Sequence, residues 1–434
     1  MESRINSLEQ ALRAQQKTIS DQQRMIDRLK EELAEGKKQT PGQGGIQAAQ
    51  PAVQEPERTS RASGLFGGAF MTNPYISFAL NTFFYSSSTD ERTLSARGIP
   101  GYTNLGFEQK KGFNISEGEL FLFAPVDPYF NLYANIPFTD EGAELEEAYF
   151  VTTSLPEGLQ IKGGKFKSNF SRFNAQHPHA WDFADAPLAY RAFLNKEGLV
   201  EKGAQLTYLP PLPFYTLLGM EVLQGENEVL FNSHSTGGPH ALTAYVKSSF
   251  DFGKASSVLF GPYLVAGKTR TETVADGTFF RGDSTIYGFE GVYKWRPSRD
   301  RSLTLQGEYL WRDQSGSLEN LESGSADPLV RTQDGFYVQS LYQMGRWRVG
   351  ARYDRLSLFA DTYKLGGVQE GFKKPWRATA ALEFNPSEFS RIRLQYNYDR
   401  SGYATTGSTT YDRTNHEVFL QLILGIGAHG THAY

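Results

Sequence analysis

The feature that most constrains this chain is an alternation of period two that persists from about residue 70 onward. In "RIRLQYNYDR", Arg391, Arg393, Gln395, Asn397 and Asp399 fall on one face of an extended strand, and Ile392, Leu394, Tyr396 and Tyr398 on the other. Successive side chains of a strand point to opposite sides, so one face is polar and the other apolar or aromatic. The stretch 347–354 divides in the same way, with Arg348, Arg352 and Asp354 against Trp347, Val349, Ala351 and Tyr353. So do 376–384, where Arg377, Thr379 and Glu383 oppose Trp376, Ala378, Leu382 and Phe384, and the stretches 303–312 and 130–136. A soluble sandwich also alternates, but its strands are mostly about 5–6 residues long. These run to about ten, with Tyr and Trp recurring near their ends, where a membrane barrel places its aromatic girdles.

Hydropathy agrees with a barrel. No run reaches the roughly 18 apolar residues of a membrane-spanning helix. The mean hydropathy is −0.46 although aromatics make up 14% of residues, as expected when lipid-facing and water-facing positions alternate. Short turns near Pro125–Pro128, Ser154–Gly158, Pro210–Pro213, Asp251–Lys254, Arg296–Arg301, Met344–Arg346 and Asn385–Phe389 alternate with mostly longer polar loops. Those loops lie near 86–112, 138–143, 170–202, 224–240, 267–283, 313–333, 357–375 and 400–414. Together they delimit about sixteen strands, enough to enclose an aqueous lumen.

The N-terminal segment follows another rule. Ile5, Leu8, Leu12, Gln15, Ile19, Gln22, Ile26, Leu29 and Leu33 keep a 3-4 spacing, which predicts an α-helical coiled coil over 1–38 and favours three strands over two. A tether rich in Gly, Pro, Gln and Ser follows over 39–67. No apolar secretory segment precedes the coil, an absence that carries no weight. Cysteine is absent, which excludes disulfides, thiolate metal sites and covalently attached c-type haem. A net charge of −4 makes no case for nucleic acid.

The stretch "LEEAYFVTTSLPEGLQIKGGKFKSNFSRFN" (145–174), followed by "GAQL" at 203–206, resembles the phosphate-selective porin O and P family. The stretch "NAQHPHAWDFADAPLAYRAFL" (174–194) and the ending "GAHGTHAY" are similar to a subgroup of outer-membrane barrels sometimes labelled zinc-regulated TonB-dependent receptors. That label implies a plugged barrel of about 22 strands, more than the turns here delimit.

Residues 170–202 form the third long loop in strand order and hold His177, His179, Trp181, Asp182, Asp185 and Arg191. Its aromatic residues suit a loop that packs against a wall, so it is read as folding into the lumen and constricting it. Two histidines around Pro178 do not by themselves fix a metal geometry, even with Asp182 or Asp185 as a third ligand and His429 or His432 recruited from afar. No metal is expected. Lys165, Lys167, Arg348, Arg352, Arg377, Arg391 and Arg393 are read as lumen-facing, giving a positive field that favours anions. Glu308, Asp354, Glu383 and Asp399 could neutralise them. No nucleophile-elbow or metalloprotease motif is present, so no enzyme activity and no cofactor are expected.

The sequence therefore predicts an all-β transmembrane antiparallel β-barrel over 68–434, resident in the lipid of a bacterial outer membrane. The coiled coil would lie in the periplasm and build a homotrimer. The function would be passive diffusion of small hydrophilic or anionic solutes, with no nucleic-acid partner. Two alternatives are a sheath around a periplasmic partner such as a multihaem cytochrome, and a metal-uptake receptor.

Overall fold

The computed structural model describes residues 74–427 except 96–97, 100, 103–109, 232–237, 274–277, 321, 402, 405–409 and 412–413. The expected coiled coil over 1–38, the tether over 39–67, and His429 and His432 lie outside the described residues. Sixteen long strands follow one another in chain order. They are β1 (Tyr75–Ser87), β2 (Gly112–Pro125), β3 (Phe130–Thr139), β4 (Glu147–Thr152), β5 (Leu159–Lys167), β6 (Val200–Tyr208), β7 (Tyr215–Leu223) and β8 (Ala241–Phe252). The series continues with β9 (Ser256–Thr273), β10 (Thr278–Ser298), β11 (Arg301–Asn320), β12 (Ala326–Met344), β13 (Trp347–Leu365), β14 (Trp376–Ser387), β15 (Ser390–Asp399) and β16 (Asn415–Gly427).

Each strand pairs antiparallel with its sequence neighbours. The ring closes where β1 meets β16, in a register running from Ser77↔Gly427 to Ser87↔Glu417. Closure leaves no long strand with a free edge, which is how a sheet can meet lipid without stranding backbone polar groups. The period-two reading holds in its particulars. Ile392, Leu394, Leu420 and Leu422 are exposed on the outer face, whereas Arg393, Gln395, Gln421 and Glu417 are buried on the inner one. An arginine at the outer position Leu394 should cost about 2–4 kcal/mol near the bilayer midplane. Urea titration of refolded Leu394→Arg in lipid vesicles checks this.

The loop assignments need one correction. The stretches 267–283 and 313–333, and the first part of 357–375, are largely strand, and β9 to β13 run 18 to 21 residues. Crossing the hydrocarbon core takes only about 9–11. Beyond that depth neither face needs an apolar surface, so the alternation that marks a strand in sequence fades while the backbone ladder continues. "SGSLEN" at the end of β11 is an example.

Ser168–Leu199, between β5 and β6, turns inward. It contains a short helix, α1 (Leu188–Phe193), whose six residues are all buried. Phe170, Phe173, Trp181, Phe183, Leu188, Tyr190 and Phe193 are each at most 6% exposed. All but Phe183, which lies under the Arg352 guanidinium, pack with inner-face residues of β7 to β13, among them Tyr245, Tyr263, Val265, Ile286, Leu310, Tyr337 and Leu356. Fully burying a large apolar side chain contributes about 1.5–3 kcal/mol, so apolar burial is what seats the segment. Close packing also dictates backbone choices in the wall. Tyr263 lies across its pairing partner Gly288, where an added Cβ would come within 1.9 Å of the ring.

Candidate functional site

One segment of about thirty residues bonds to nearly the whole inner wall, which places it across the barrel interior. On the β13–β15 side its acidic residues meet the arginine ladder. Asp182 pairs with Arg348 at 3.0 Å. Asp185 pairs with Arg352 at 2.7 Å and Arg377 at 2.8 Å, and accepts hydrogen bonds from Gln395 and Asn397. Arg393 donates to the Trp181 carbonyl at 2.8 Å and to Glu383 at 2.8 Å. Arg391 donates to the carbonyls of His179 and Trp181, and Arg377 to that of Ala186. Burial alone would raise the Asp185 carboxyl, but the guanidinium groups of Arg377, Arg352 and Arg191 outweigh it and hold it well below the usual carboxylate range.

Between these sides, Tyr190 and Tyr263 donate to one carboxylate oxygen of Glu308, and Tyr337 donates to the other. Backbone N–H groups of Asn169 and Arg172 donate to Glu221 and Glu290. Trp181 stacks on Phe173 at 5.1 Å between ring centroids.

On the β2–β5 side the histidine pair meets glutamates. Glu117 and Glu119 share the inner face of β2, and Glu147 lies on that of β4. His177 Nε2 is 2.8 Å from Glu147 Oε2, and its Nδ1 is 3.7 Å from Glu119 Oε1. His179 Nδ1 is 2.9 Å from Glu119 Oε2 and 3.4 Å from Glu117 Oε1. Glu146 lies 3.7 Å from His177 and 3.1 Å from Lys167. Burial alone would lower His177, but Glu119, Glu146 and Glu147 overcome it and push it up to about 10. His179 is raised for the same reason by Glu117 and Glu119.

The basic residues singled out from sequence divide three ways. Arg348, Arg352, Arg377, Arg391 and Arg393 share the inner face of β13 to β15, where Arg352, Arg377 and Arg393 are at most 3% exposed and held in ion pairs. Their partners include Glu383 and Asp354, together with Asp182 and Asp185 from the inserted segment. Lys167 is buried at its strand end between Glu146 and the Glu197 carbonyl. Lys165 pairs with Ala148 and Lys202 in the register of Ile161 and Leu206, and its ammonium reaches Glu144 at 3.2 Å at the strand ends, where both line a cavity. Lys162, three residues earlier in β5, also points inward, its ammonium over the Tyr149 ring at 4.9 Å.

Neither Asp182 nor Asp185 joins the histidines, because both are engaged by arginines. The residues that do, Glu117 and Glu119, carried a readable signal in "SEGELF". Two acids spaced by one on an alternating strand must share its polar face.

A cavity of about 430 Å³ remains between the segment and the wall. Phe83, Glu117, Glu146, Trp181, Asp185 and Arg191 line it, and towards the strand ends Glu144, Lys165, Lys196, Glu197, Glu226 and Glu228.

No family model matches the chain. Solved structures share the fold. The outer membrane channel DcaP of Acinetobacter baumannii superposes with a TM-score of 0.51 at 12% identity over 82% of this chain and 97% of its own. OmpT of Vibrio cholerae gives 0.50 at 12% identity over 84% and 100%. An anion-selective porin from Comamonas acidovorans gives 0.50 at 11% identity over 82% and 100%. A protein of Aquifex aeolicus, described only as uncharacterized, is 39% identical over 398 residues, 85% of this chain and 83% of its own length. At that identity and coverage, the chain belongs to the same family as the Aquifex aeolicus protein.

Proposed function

We propose that this protein is an outer-membrane porin through which small hydrophilic solutes diffuse passively, with residues 168–199 narrowing the passage. The observation that carries this is the pairing of a closed sixteen-strand barrel with an inward-seated segment that still leaves a cavity along β1 to β5. The coiled coil over 1–38 would set a periplasmic trimer. A sheath around a haem protein is disfavoured, since the chain's own segment already occupies the interior where such a partner would sit.

The charge of the passage decides its preference. The ladder arginines are neutralised by Asp182, Asp185, Asp354 and Glu383, so they contribute little net field where solute passes. Besides the paired Asp185, the cavity wall carries Glu117, Glu144, Glu146, Glu197, Glu226 and Glu228 against Lys165, Arg191 and Lys196. Low-dielectric walls focus such a field, so the expected preference is for cations and neutral solutes over anions, the reverse of what the isolated ladder suggests.

Reversal potentials in planar bilayers under a salt gradient test the reading. The parent should conduct with a cation-over-anion permeability ratio above one, and Glu197→Gln with Glu228→Gln should lower that ratio while leaving folding intact. Absence of conductance from folded protein would sink the channel reading, and an anion preference would sink the selectivity.

A further inference from the structure

We propose that Glu117 and Glu119 of β2, together with His177 and His179 of the inserted segment, form a binding site for a divalent transition-metal cation of the zinc class. Two residue pairs, each spaced by one, face each other across the interior. Glu-x-Glu projects from a strand and His-Pro-His from a short 3-10 turn of the segment, so four side chains converge. Glu119, His177 and His179 are all buried, and a ligating atom from each lies within 4.8 Å of the others.

The distances suit a small tetrahedral ion. Bonds of about 2.0–2.1 Å at tetrahedral angles put donor atoms about 3.3 Å apart. The Nδ1 atoms of His179 and His177 lie 2.9 and 3.7 Å from the Glu119 carboxylate, and Glu117 lies 3.4 Å from His179 Nδ1. A ligating imidazole needs its other nitrogen held by an acceptor, which fixes the tautomer. His177 has this arrangement, with Nε2 at 2.8 Å from Glu147 and Nδ1 turned towards Glu119. Nitrogen and carboxylate donors in a set of about four match zinc better than calcium or magnesium, which take six or more oxygens or keep their waters.

Charge points the same way. Glu117, Glu119, Glu146 and Glu147 gather around one ammonium, Lys167. The four carboxylates in this buried space require counter-charge, which the two imidazoles provide only when protonated. A divalent cation between the two pairs supplies it, and in doing so it tethers the segment to β2. This goes beyond the channel reading, which requires no metal.

The test uses the full chain refolded in detergent micelles, stripped with chelator and titrated with zinc chloride by calorimetry, with metal analysis after desalting. The expected result is one zinc per chain, lost in His177→Gln with His179→Gln and in Glu119→Gln. Glu147→Gln should weaken binding about 10–100-fold, because it removes the orienting acceptor and no ligand. Heat-modified electrophoretic mobility verifies that each variant has folded. Should a variant not fold, cobalt binding to the parent decides: the intense visible bands of four-coordinate cobalt support the site. A pale six-coordinate spectrum, no binding by the parent, or undiminished binding by the folded double-Gln variant each overturns it.

Discussion

Replacing residues 175–187 with a short glycine-serine linker should raise single-channel conductance several-fold and relax size exclusion, while the barrel still folds. The exchange removes the stack of Trp181 on Phe173, the Asp182 and Asp185 ion pairs and the histidines together. It leaves the sixteen-strand wall, which without a filler encloses water. Arg352, Arg377 and Arg393 then lose the segment's carboxylate and carbonyl partners but gain solvent, and keep Asp354 and Glu383. They are hydrated rather than stranded, so barrel stability should change little. Planar-bilayer recordings with polyethylene glycols of graded size measure the effect, and unchanged conductance in folded protein would mean that the segment does not limit flow.

Asp185→Ala should loosen the same segment without opening the barrel. Asp185 is 4% exposed and paired with two guanidinium groups, and removing one partner of a buried pair typically costs about 3–5 kcal/mol because the other charge is left uncompensated. The loss should appear as faster hydrogen exchange and new proteolytic cleavage within 168–199, with noisier current. Asp185→Ala combined with Arg377→Ala should recover part of it, since the second change removes a stranded charge. The carboxyl is depressed in the folded state, so its contribution is fully present above the unfolded value and is lost only as pH falls through the lower folded one. The Asp185 contribution to seating should therefore be constant above about pH 4. If protease sensitivity of the single variant matches the parent, the pair is not what holds the segment.

Much of the barrel was legible because one physical rule, alternate sides facing lipid and interior, acts at every residue of a membrane strand. Ile392 and Arg393 are assigned to faces by that rule alone. The long arms of β9 to β13 escaped it because they extend beyond the depth at which lipid imposes a pattern. Lys162 was missed because nothing local marks it as an inward residue of β5. Register there is set by pairing with β4 and β6. For the arginine ladder the face was readable but the environment was not. Asp182 and Asp185 lie more than 160 residues from Arg348 and Arg352 along the chain, and no pattern within either stretch signals that they meet. The histidine pair failed in the same way. "HPH" invited Asp182 and Asp185 as nearby partners, whereas the groups it meets sit on β2 and β4.

The seam between β1 and β16 also dictates an order of assembly. Tyr85 hydrogen-bonds Glu417 across 332 residues of chain, so the first strand has an unsatisfied edge until the last one arrives. Until then the growing sheet is an open template for foreign strands, and contacts this distant in sequence form slowly. The docking surface for 168–199 spans β2 to β15, so most of the wall has to be in place before the segment can seat fully. Most of the wall therefore comes first and its filler second.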